Sequence, residues 1–298
     1  MKILITGVSG FLGQNLVRFL LDKDFDIHVV VRKNSNTSFL NKKIKIFVYD
    51  NDDIDSLIKY FKVNKFDGVI HLASLFLANH QSQDISSLIS SNIKFGTEIL
   101  EASKISKVSW FINTGTFWQN YENEDYNPVN LYAATKEAFE KIAFYFTQTS
   151  DMIFTTIKLN DTFGPNDTRN KIFNLWLNAL KTKEEIAMSK GEQIIDISFI
   201  DDIVEAYYVL INHLSSENKD KFRNKTFAIK SDTRVTLKEL SKIFEKVVNC
   251  KLNIIWGKKE YREREIMEPW NKGEAIPEFK AKYSLEKAIK KTLEEINE

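Results

Sequence analysis

Short, uninterrupted apolar runs alternate with helix-period segments over the first 115 residues, and this alternation constrains the fold more than any other feature. Apolar runs without polar alternation are typical of strands buried on both faces, which requires a parallel sheet covered by helices. Predicted strands cover residues 2–6, 27–31, 44–49, 68–73 and 110–114, and predicted helices cover 11–22, 54–60 and 86–103. The pattern therefore predicts an α/β fold with a Rossmann-type doubly wound parallel sheet.

The pattern becomes less regular after Pro165. Further helices are predicted at 131–146, 172–180, 202–214, 237–248 and 284–296, and further strands at 153–159, 194–200 and 226–230. A length of 298 residues fits one large domain or two intimate ones. We interpret residues 1–157 as a dinucleotide-binding domain to which residues 194–230 return. Residues 158–193 and 231–298 would form a smaller C-terminal substrate-binding lobe.

Composition excludes several classes of partner. The 42 Lys and Arg residues are balanced by 41 Asp and Glu, so the chain lacks the basic surface that nucleic acids or anionic membranes attract. One Cys excludes an intramolecular disulfide, and with four His it cannot fill a typical zinc site, so we expect no metal. The apolar run after Met1 is too short for a signal peptide, and no run of about 18 apolar residues occurs. We expect a soluble, cytoplasmic protein with no nucleic-acid or membrane partner.

A glycine-rich segment joins the first predicted strand to the first predicted helix and reads Thr6-Gly7-Val8-Ser9-Gly10-Phe11-Leu12-Gly13. Such glycines let the backbone turn sharply and approach a pyrophosphate, which then meets the N–H groups of the helix N-terminus. A plain strand–turn–helix corner would also use glycines, but the clear strand and helix on either side favour a nucleotide site. The predicted cofactor contacts here are Gly7, Ser9, Gly10, Phe11 and Leu12.

The end of the second predicted strand bears on the type of dinucleotide. An NAD site would place an acidic residue there to bind the ribose hydroxyls, whereas this chain has Arg32 and Lys33. Two cations suit a 2′-phosphate, so we predict NADP(H). If they are ordinary loop cations, NAD(H) remains possible. Asp50, followed by Asn51, is a candidate acceptor for the adenine amine, or else begins the next turn.

Tyr132 and Lys136 stand four residues apart at the start of a predicted helix. Residues at this spacing share one helix face, so the phenol and the ammonium can point into the same cleft. A neighbouring ammonium lowers the pKa of a tyrosine and gives a proton donor and acceptor usable near neutral pH. The spacing alone occurs by chance in many helices.

Taken together, the motifs resemble the extended short-chain dehydrogenase/reductase family, which includes nucleotide-sugar epimerases, dehydratases and reductases. The resemblance covers nearly the whole chain. Its motifs are Thr6-Gly7-x-x-Gly10-Phe11-Leu12-Gly13, His71-Leu72-Ala73-Ser74, Asn92-Ile93-x-x-Gly96-Thr97, Tyr132-x-x-x-Lys136, Phe163-Gly164-Pro165, Phe199-Ile200-Asp201-Asp202-Ile203 and Tyr283-Ser284-Leu285-Glu286-Lys287-Ala288-Ile289. Each motif is weak alone, but their order along the chain is specific.

The resemblance implies a catalytic set. Thr114 would hydrogen-bond the substrate oxygen, Tyr132 would transfer the proton, and Lys136 would hold the ribose and lower the pKa of Tyr132. Thr116 is a second hydroxyl that could share the role of Thr114, and Asn92 matches a structural asparagine of the family. The cofactor contacts implied at these motifs are Leu72, Ala73, Ser74, Asn92, Tyr132 and Lys136.

A departure from the family pattern reduces the number of reactions that we expect of this chain. Dehydratases of the family have a Thr-Asp-Glu sequence at the end of this strand, and its Asp and Glu act as acid and base. This chain has Thr114-Gly115-Thr116 at the same place. Dehydration is therefore disfavoured. The resemblance implies NADPH-dependent reduction of a nucleotide-linked 4-keto-deoxy sugar to the alcohol. The alternatives are an NAD-dependent C4 epimerase and a non-catalytic, cofactor-binding regulator.

The substrate half departs from the family more often. Asp161 stands where relatives usually have Asn, and Lys158 where they often have Arg. The arginine expected before Asp196 is replaced, and its phosphate role is predicted to pass to Arg262 or Arg264. Further predicted contacts to the nucleotide-sugar substrate are His80, Thr116 and Trp118. Family members form dimers through helices that correspond to 86–103 and 131–146, so we expect a homodimer.

Overall fold

The computed structural model describes residues 1–49 and 53–296. The strands in these residues are β1 (Lys2–Thr6), β2 (Asp26–Val31), β3 (Lys45–Val48), β4 (Gly68–His71), β5 (Trp110–Thr116), β6 (Ile153–Leu159), β7 (Asp161–Phe163), β8 (Ile186–Ala187), β9 (Ile194–Ile195), β10 (Ile197–Phe199), β11 (Thr226–Ala228), β12 (Val235–Thr236) and β13 (Ile254–Ile255).

The α-helices of the described residues are α1 (Phe11–Leu21), α2 (Ile54–Asn64), α3 (Ile85–Ile89), α4 (Phe95–Ile105), α5 (Leu131–Gln148), α6 (Ile172–Thr182), α7 (Ile200–Leu214), α8 (Leu237–Val248) and α9 (Leu285–Ile296). None of these helices is long and apolar enough to cross a membrane.

Seven strands form one sheet in the order β11-β6-β5-β4-β1-β2-β3, and every neighbouring pair is parallel. The predicted α/β class and doubly wound parallel sheet are confirmed. Strand β1 lies between β2 and β4, so the chain reverses its direction of travel across the sheet there. In open parallel sheets, ligands bind beyond the carboxyl ends of the strands at this switch point.

Helices cover both faces of the sheet, which explains why its strands lack polar alternation. Ile3 and Ile5 of β1 belong to the core shared with α1 and α7, whereas Leu4 points to the opposite core beneath α2, α4 and α5. All three side chains are fully buried. Because successive residues of a strand face opposite sides, a strand packed on both sides must be apolar throughout.

Two predicted elements are interrupted. The helix predicted at 86–103 consists of α3 and α4 joined by a π-helical turn, Ser90–Lys94. The strand predicted at 194–200 divides into β9 and β10, and α7 already begins at Ile200. The break falls at Asp196, whose buried carboxylate accepts from the Ser231 backbone N–H and from Arg234.

Within the described residues, three two-stranded sheets lie outside the main sheet, namely β10 with β7, β12 with β9, and β13 with β8. Strand β11 returns to the edge of the main sheet beside β6. The division into a dinucleotide-binding domain and a C-terminal substrate-binding lobe stays a prediction.

Candidate active site

The glycine-rich turn brings β1, α1 and the end of β4 into close contact. Gly7 has a φ of +73°, and a Cβ there would lie 2.5 Å from the backbone N of Ala73. A Cβ on Gly13 would lie 2.4 Å from the carbonyl oxygen of Gly7. Gly10 is the N-cap of α1 and provides no side-chain cap, so the first N–H groups of the helix are open to an anion. This turn fits the pyrophosphate of a dinucleotide.

A polar cleft of about 540 Å³ opens beside this turn at the ends of β1 and β2. Its lining residues are Ser9, Arg32, Lys33, Asn34, Ser35, Asn36 and Tyr49. Arg32 and Lys33 are exposed, and the backbone N–H of Arg32 donates to Ser35 Oγ over 3.1 Å. Among the described lining residues no carboxylate occurs. The predicted contacts Asp50 and Asn51 lie outside the described residues.

Helix α5 carries Tyr132 and Lys136, and Asn130 fixes its start. The Asn130 side chain accepts from the Ala133 N–H over 3.0 Å, which caps the helix. Its amide group donates to the Ala78 carbonyl over 2.9 Å. One side chain therefore positions the first turn of α5 against the loop that follows β4.

The phenol of Tyr132 lies near Ser74 and Phe76. The Ser74 hydroxyl acts to lower the pKa of the phenol, and the Phe76 ring meets the Tyr132 ring edge-on at 5.0 Å. Burial raises the pKa of Tyr132 to about 12, against the smaller effect of Ser74. This direction is opposite to the lowering predicted from Lys136, because the cost of burying a phenolate dominates. Tyr132 therefore keeps its proton at neutral pH.

Lys136 is only 3% exposed, yet its ammonium group is available to a ligand. Within the part of the chain that is described, no side chain or carbonyl hydrogen-bonds its Nζ. Burial lowers the pKa of Lys136 to about 8, and Glu140 acts in the opposite direction. An ammonium without a hydrogen-bond partner in the protein can donate to a ligand. The hydroxyls of a cofactor ribose are suitable acceptors.

Asn92 connects the loop after β4 to α5 from within the π-helical turn. Its side-chain oxygen accepts from the Leu75 N–H over 2.7 Å and from the Ser74 hydroxyl over 3.2 Å. Its amide group donates to the Thr135 hydroxyl over 2.9 Å. The structural role predicted for Asn92 therefore has a geometric basis, since the residues next to Ser74 and Tyr132 are fixed by one side chain.

The two threonines at the end of β5 have different partners. The Thr114 hydroxyl lies 2.6 Å from the hydroxyl of Tyr207 on α7. The Thr116 hydroxyl accepts from the Trp118 N–H over 3.3 Å and caps the short turn that follows β5. Ser74, and not Thr114, is the hydroxyl that affects the pKa of Tyr132. Sequence reasoning missed Ser74 in this role and missed Tyr207, because no local pattern connects residues so far apart along the chain.

Aromatic rings link Tyr132 to the predicted substrate contacts. The Phe76 ring lies 5.5 Å from the Trp118 ring, and the Arg262 guanidinium lies over Trp118 at 5.8 Å. The Lys171 ammonium lies 5.3 Å from the Phe76 ring centre and pairs with Asp161 at 2.7 Å. Trp118, Asp161 and Arg262 are therefore brought together around Phe76, which the sequence analysis did not single out.

Other predicted residues lie apart from this group. His80 is exposed and makes no hydrogen bond within the described residues. Arg264 donates to Asn127 and stacks over the Tyr121 ring at 4.3 Å. His71 is buried, and burial and Lys136 lower its pKa to about 3, so the ring is neutral and serves in packing.

A further arginine lies where the sequence analysis found one missing. Arg234 precedes Val235, which pairs with Ile195 across β12 and β9. Its guanidinium binds the Asp196 carboxylate at 2.7 Å. The arginine that is missing before Asp196 is therefore replaced in space by Arg234, which lies just before β12. The spacing of residues in the sequence gives no signal for this replacement.

A parallel sheet with a glycine-rich turn at its switch point, and a Tyr–Lys pair on the neighbouring helix, define a dinucleotide-dependent oxidoreductase. The family model of the NAD dependent epimerase/dehydratase family matches residues 3–224. The chain belongs to this family, and it is an NAD(P)-dependent enzyme of the extended short-chain dehydrogenase/reductase type. The resemblance stated from the motifs is confirmed.

Curated relatives extend over nearly the whole chain. The CDP-abequose synthase of Yersinia pseudotuberculosis is 29% identical over 97% of this chain and 98% of its own length. The enzyme of the same name from Salmonella muenchen is 26% identical over 98% of this chain and 97% of its own length.

Solved structures share the fold. A UDP-glucose 4-epimerase of Thermotoga maritima with UDP-glucose superposes with a TM-score of 0.85 at 21% identity, covering 100% of this chain and 99% of its own. A UDP-glucuronic acid 4-epimerase of Bacillus cereus, in complex with UDP-glucuronic acid and NAD, has a TM-score of 0.83 at 19% identity and the same coverage.

Proposed function

We propose that the protein reduces a nucleotide-linked 4-keto-deoxy sugar to the corresponding alcohol with NADPH. The observation that carries the proposal is the placement of Tyr132 and Lys136 one helical turn apart on α5, where no side chain or carbonyl of the described residues hydrogen-bonds the Lys136 ammonium. Ketone reduction requires a proton donor at the oxygen, and Tyr132 keeps its proton at neutral pH. The CDP-abequose synthases that resemble the chain over its full length support a nucleotide-sugar substrate.

Each residue of the site has its own role in the proposed reduction. When bound, the cofactor would supply the hydride. Tyr132 donates the proton to the oxygen that accepts charge, and Lys136 holds the ribose. Thr114 hydrogen-bonds the same substrate oxygen once its hydroxyl leaves Tyr207. The cations Arg234 and Arg262 would bind the diphosphate, for which guanidinium groups are well suited.

NADPH is the cofactor that the cleft beside Ser9 favours. Arg32 and Lys33 offer two exposed cations at the end of β2, where a 2′-phosphate would lie. NAD(H) is the alternative, since solved structures with this fold contain NAD.

The competing reactions differ in what they require. A dehydratase needs an acid and a base at the positions of Gly115 and Thr116, and neither residue is ionisable. A C4 epimerase would use the same Tyr132 and Lys136, and the epimerases that share the fold make it the second candidate. A non-catalytic regulator would not need Tyr132 and Lys136 together, so their presence argues against it.

The test is NADPH oxidation with a panel of CDP-, UDP- and dTDP-linked 4-keto-deoxy sugars. We expect NADPH consumption equal to the alcohol formed, with a higher kcat/KM for NADPH than for NADH. Tyr132→Phe should still bind NADPH but lose about 10²- to 10⁴-fold in kcat, the usual contribution of a positioned acid. Sugar epimerisation without net NADPH oxidation would show that the chain is an epimerase instead.

We also propose that the protein is a cytoplasmic homodimer. Apolar side chains on α3 and α5, among them Ile85, Ile89, Phe144 and Tyr145, are exposed in the single chain. These helices lie in the segments 86–103 and 131–146, which correspond to the helices through which family members form dimers.

A further inference from the structure

An aromatic ring that is partly exposed to solvent lies beside the reacting phenol, in the loop that follows β4. The Phe76 side chain is 45% exposed, and its ring meets the Tyr132 ring edge-on at 5.0 Å with an angle of 80° between the two planes. Exposing a large apolar group to water is unfavourable, and a ligand that covers the ring would remove this cost. The proposed reduction itself gives Phe76 no role.

The backbone on both sides of Phe76 is fixed by asparagine side chains. Asn92 accepts from the Leu75 N–H over 2.7 Å and donates to the Leu75 carbonyl over 3.0 Å. Asn130, which caps α5, donates to the Ala78 carbonyl over 2.9 Å. A single exposed ring on a surface needs no explanation. Phe76, however, is tied to the helix that carries the reacting phenol, so its ring forms a fixed wall beside that phenol.

Phe76, and not Trp118, is the ring next to the phenol. The Trp118 ring lies 5.5 Å from the Phe76 ring, and no ring contact in the described part of the chain joins it to Tyr132. The Arg262 guanidinium lies over Trp118 at 5.8 Å, and the Lys171 ammonium lies 5.3 Å from the Phe76 ring centre. A sugar bound at Tyr132 would therefore meet an apolar ring first, and the two cations around the rings suit the phosphate groups of the same ligand.

The hydroxyl groups close to the reacting phenol already have partners. The Ser74 hydroxyl donates to Asn92 over 3.2 Å, and the Thr114 hydroxyl pairs with that of Tyr207 over 2.6 Å. The Phe76 ring has no atom that hydrogen-bonds a sugar hydroxyl. A hydroxyl pressed against this ring would lose water without gaining a hydrogen bond, whereas a methyl group would be buried favourably.

The shape of the sugar decides which of its groups reaches the wall. The carbon atoms on either side of the C4 ketone are C3 and C5, and C5 carries C6. A hydrogen bond between the C4 oxygen and Tyr132 brings both neighbours close to the ring beside the phenol. C3 is part of the sugar ring, whereas C6 projects from it, so a methyl group at C6 is the substituent best placed to pack on Phe76.

We propose that Phe76 determines the specificity for the sugar, and that its ring packs against a C6 methyl group and so selects 6-deoxy over 6-hydroxy sugars. The proposal rests on the proposed function in one respect, that the C4 oxygen of a nucleotide sugar lies at Tyr132. The preference should be about 10- to 100-fold, because an apolar pocket rejects an added hydroxyl only to this extent.

The binding of stable alcohols tests the proposal without turnover. CDP-glucose and CDP-6-deoxyglucose differ only in the C6 hydroxyl, and CDP-galactose and CDP-6-deoxygalactose form the same pair with the other configuration at C4. Each sugar is titrated calorimetrically against protein saturated with NADPH, since a reduced cofactor and an alcohol cannot exchange a hydride. The UDP- and dTDP-linked pairs are titrated in the same way, and the nucleotide that binds most tightly is used. The wild type should bind the 6-deoxy sugar about 10- to 100-fold more tightly.

Variants of Phe76 separate the apolar wall from a general effect on binding. Phe76→Ala removes the wall, so the preference should fall to about 3-fold or less, and Phe76→Asn, which offers hydrogen bonds to a hydroxyl, should lower it further. Phe76→Leu keeps an apolar side chain and should keep most of the preference. Phe39→Ala is the control outside this group of rings, since Phe39 is 38% exposed, and it should keep the wild-type preference. Thermal unfolding checks that each variant is folded.

Equal binding of the two sugars by the wild type would overturn the proposal, as would a wild-type preference in folded Phe76→Ala or Phe76→Asn. A preference for 3-deoxy over 3-hydroxy sugars, with none at C6, would overturn the assignment to C6. Reduction of a 4-keto sugar without any preference at C6 would refute the role of Phe76 and leave the proposed function in place. A preference that depends on Phe76, together with no reduction of any 4-keto sugar, would refute the proposed function and leave the role of Phe76 in place.

Discussion

At the scale of single residues, the Thr114 hydroxyl pairs with Tyr207 in the structure and has a separate, catalytic part in the proposed reaction. Tyr207 is fully buried, and Thr114 is the partner of its hydroxyl at 2.6 Å. Thr114→Val would leave that hydroxyl unsatisfied in the core, so we expect a loss of about 1–3 kcal/mol in the free energy of unfolding. Urea denaturation measures this loss.

The double variant Thr114→Val with Tyr207→Phe separates the two parts. Removing both hydroxyls should recover most of the lost stability, because no polar group remains unpaired. In the proposed reaction the substrate oxygen would still lack its second donor, so we expect low turnover in the single variant and in the double variant. Recovery of wild-type kcat in the double variant would show that Thr114 acts only through Tyr207.

At the scale of elements, the corner between β1 and α1 depends on two glycines for different reasons. In a helix, Ala is normally more stable than Gly by about 1 kcal/mol. At Gly13 we expect the opposite, a loss of about 1–3 kcal/mol or more for Gly13→Ala, because the new Cβ would overlap the Gly7 carbonyl at 2.4 Å.

Gly10→Ala is the matched control for this corner. Gly10 has an ordinary φ of −78°, and its nearest neighbour would be 3.4 Å from the new Cβ. The thermal unfolding temperature of Gly10→Ala should therefore be close to that of the wild type. Its cofactor affinity should fall, because the new methyl group lies at the open N-terminal end of α1. A larger loss of stability for Gly10→Ala than for Gly13→Ala would contradict this account.

The same elements show how far the sequence predicts the molecule. Strands such as β1 and β6 were predictable because burial on both faces leaves an unbroken apolar run, and Tyr132 and Lys136 because a helical turn fixes their spacing. The break at Asp196 was not predictable, since its partner Arg234 is distant in sequence. For the same reason Phe76 gave no signal, although it lies beside Tyr132.

At the scale of the whole molecule, a net charge of +1 conceals a strongly uneven distribution. Arg32 and Lys33 line one cleft, and Arg262 and Lys171 flank the aromatic rings next to Tyr132. From the balanced total we expect no large polyanion as a partner, but this expectation does not extend to small phosphorylated ligands at these places. Local charge, and not the sum, is therefore the relevant quantity for this chain.

The exposed apolar side chains of α3 and α5 bear on the assembly of the molecule. Phe144 is 55% exposed and Tyr145 59% exposed on α5, and Ile85 and Ile89 are exposed on α3. Apolar side chains exposed on a surface are candidates for an interface, and burying them is favourable. We therefore expect light scattering after size exclusion to give twice the mass of one chain.

Phe144→Glu combined with Ile89→Glu should convert this dimer to a monomer, because each dimer would bury four carboxylates without partners. Val63→Glu is the matched control, since Val63 is 71% exposed on α2, and this variant should remain dimeric. The thermal unfolding temperature of the wild type should rise with protein concentration, whereas that of the double variant should stay constant. A double variant that stays dimeric would place the interface elsewhere. A monomeric wild type would show that the chain does not dimerise. In either case the exposed rings of α5 would need another partner.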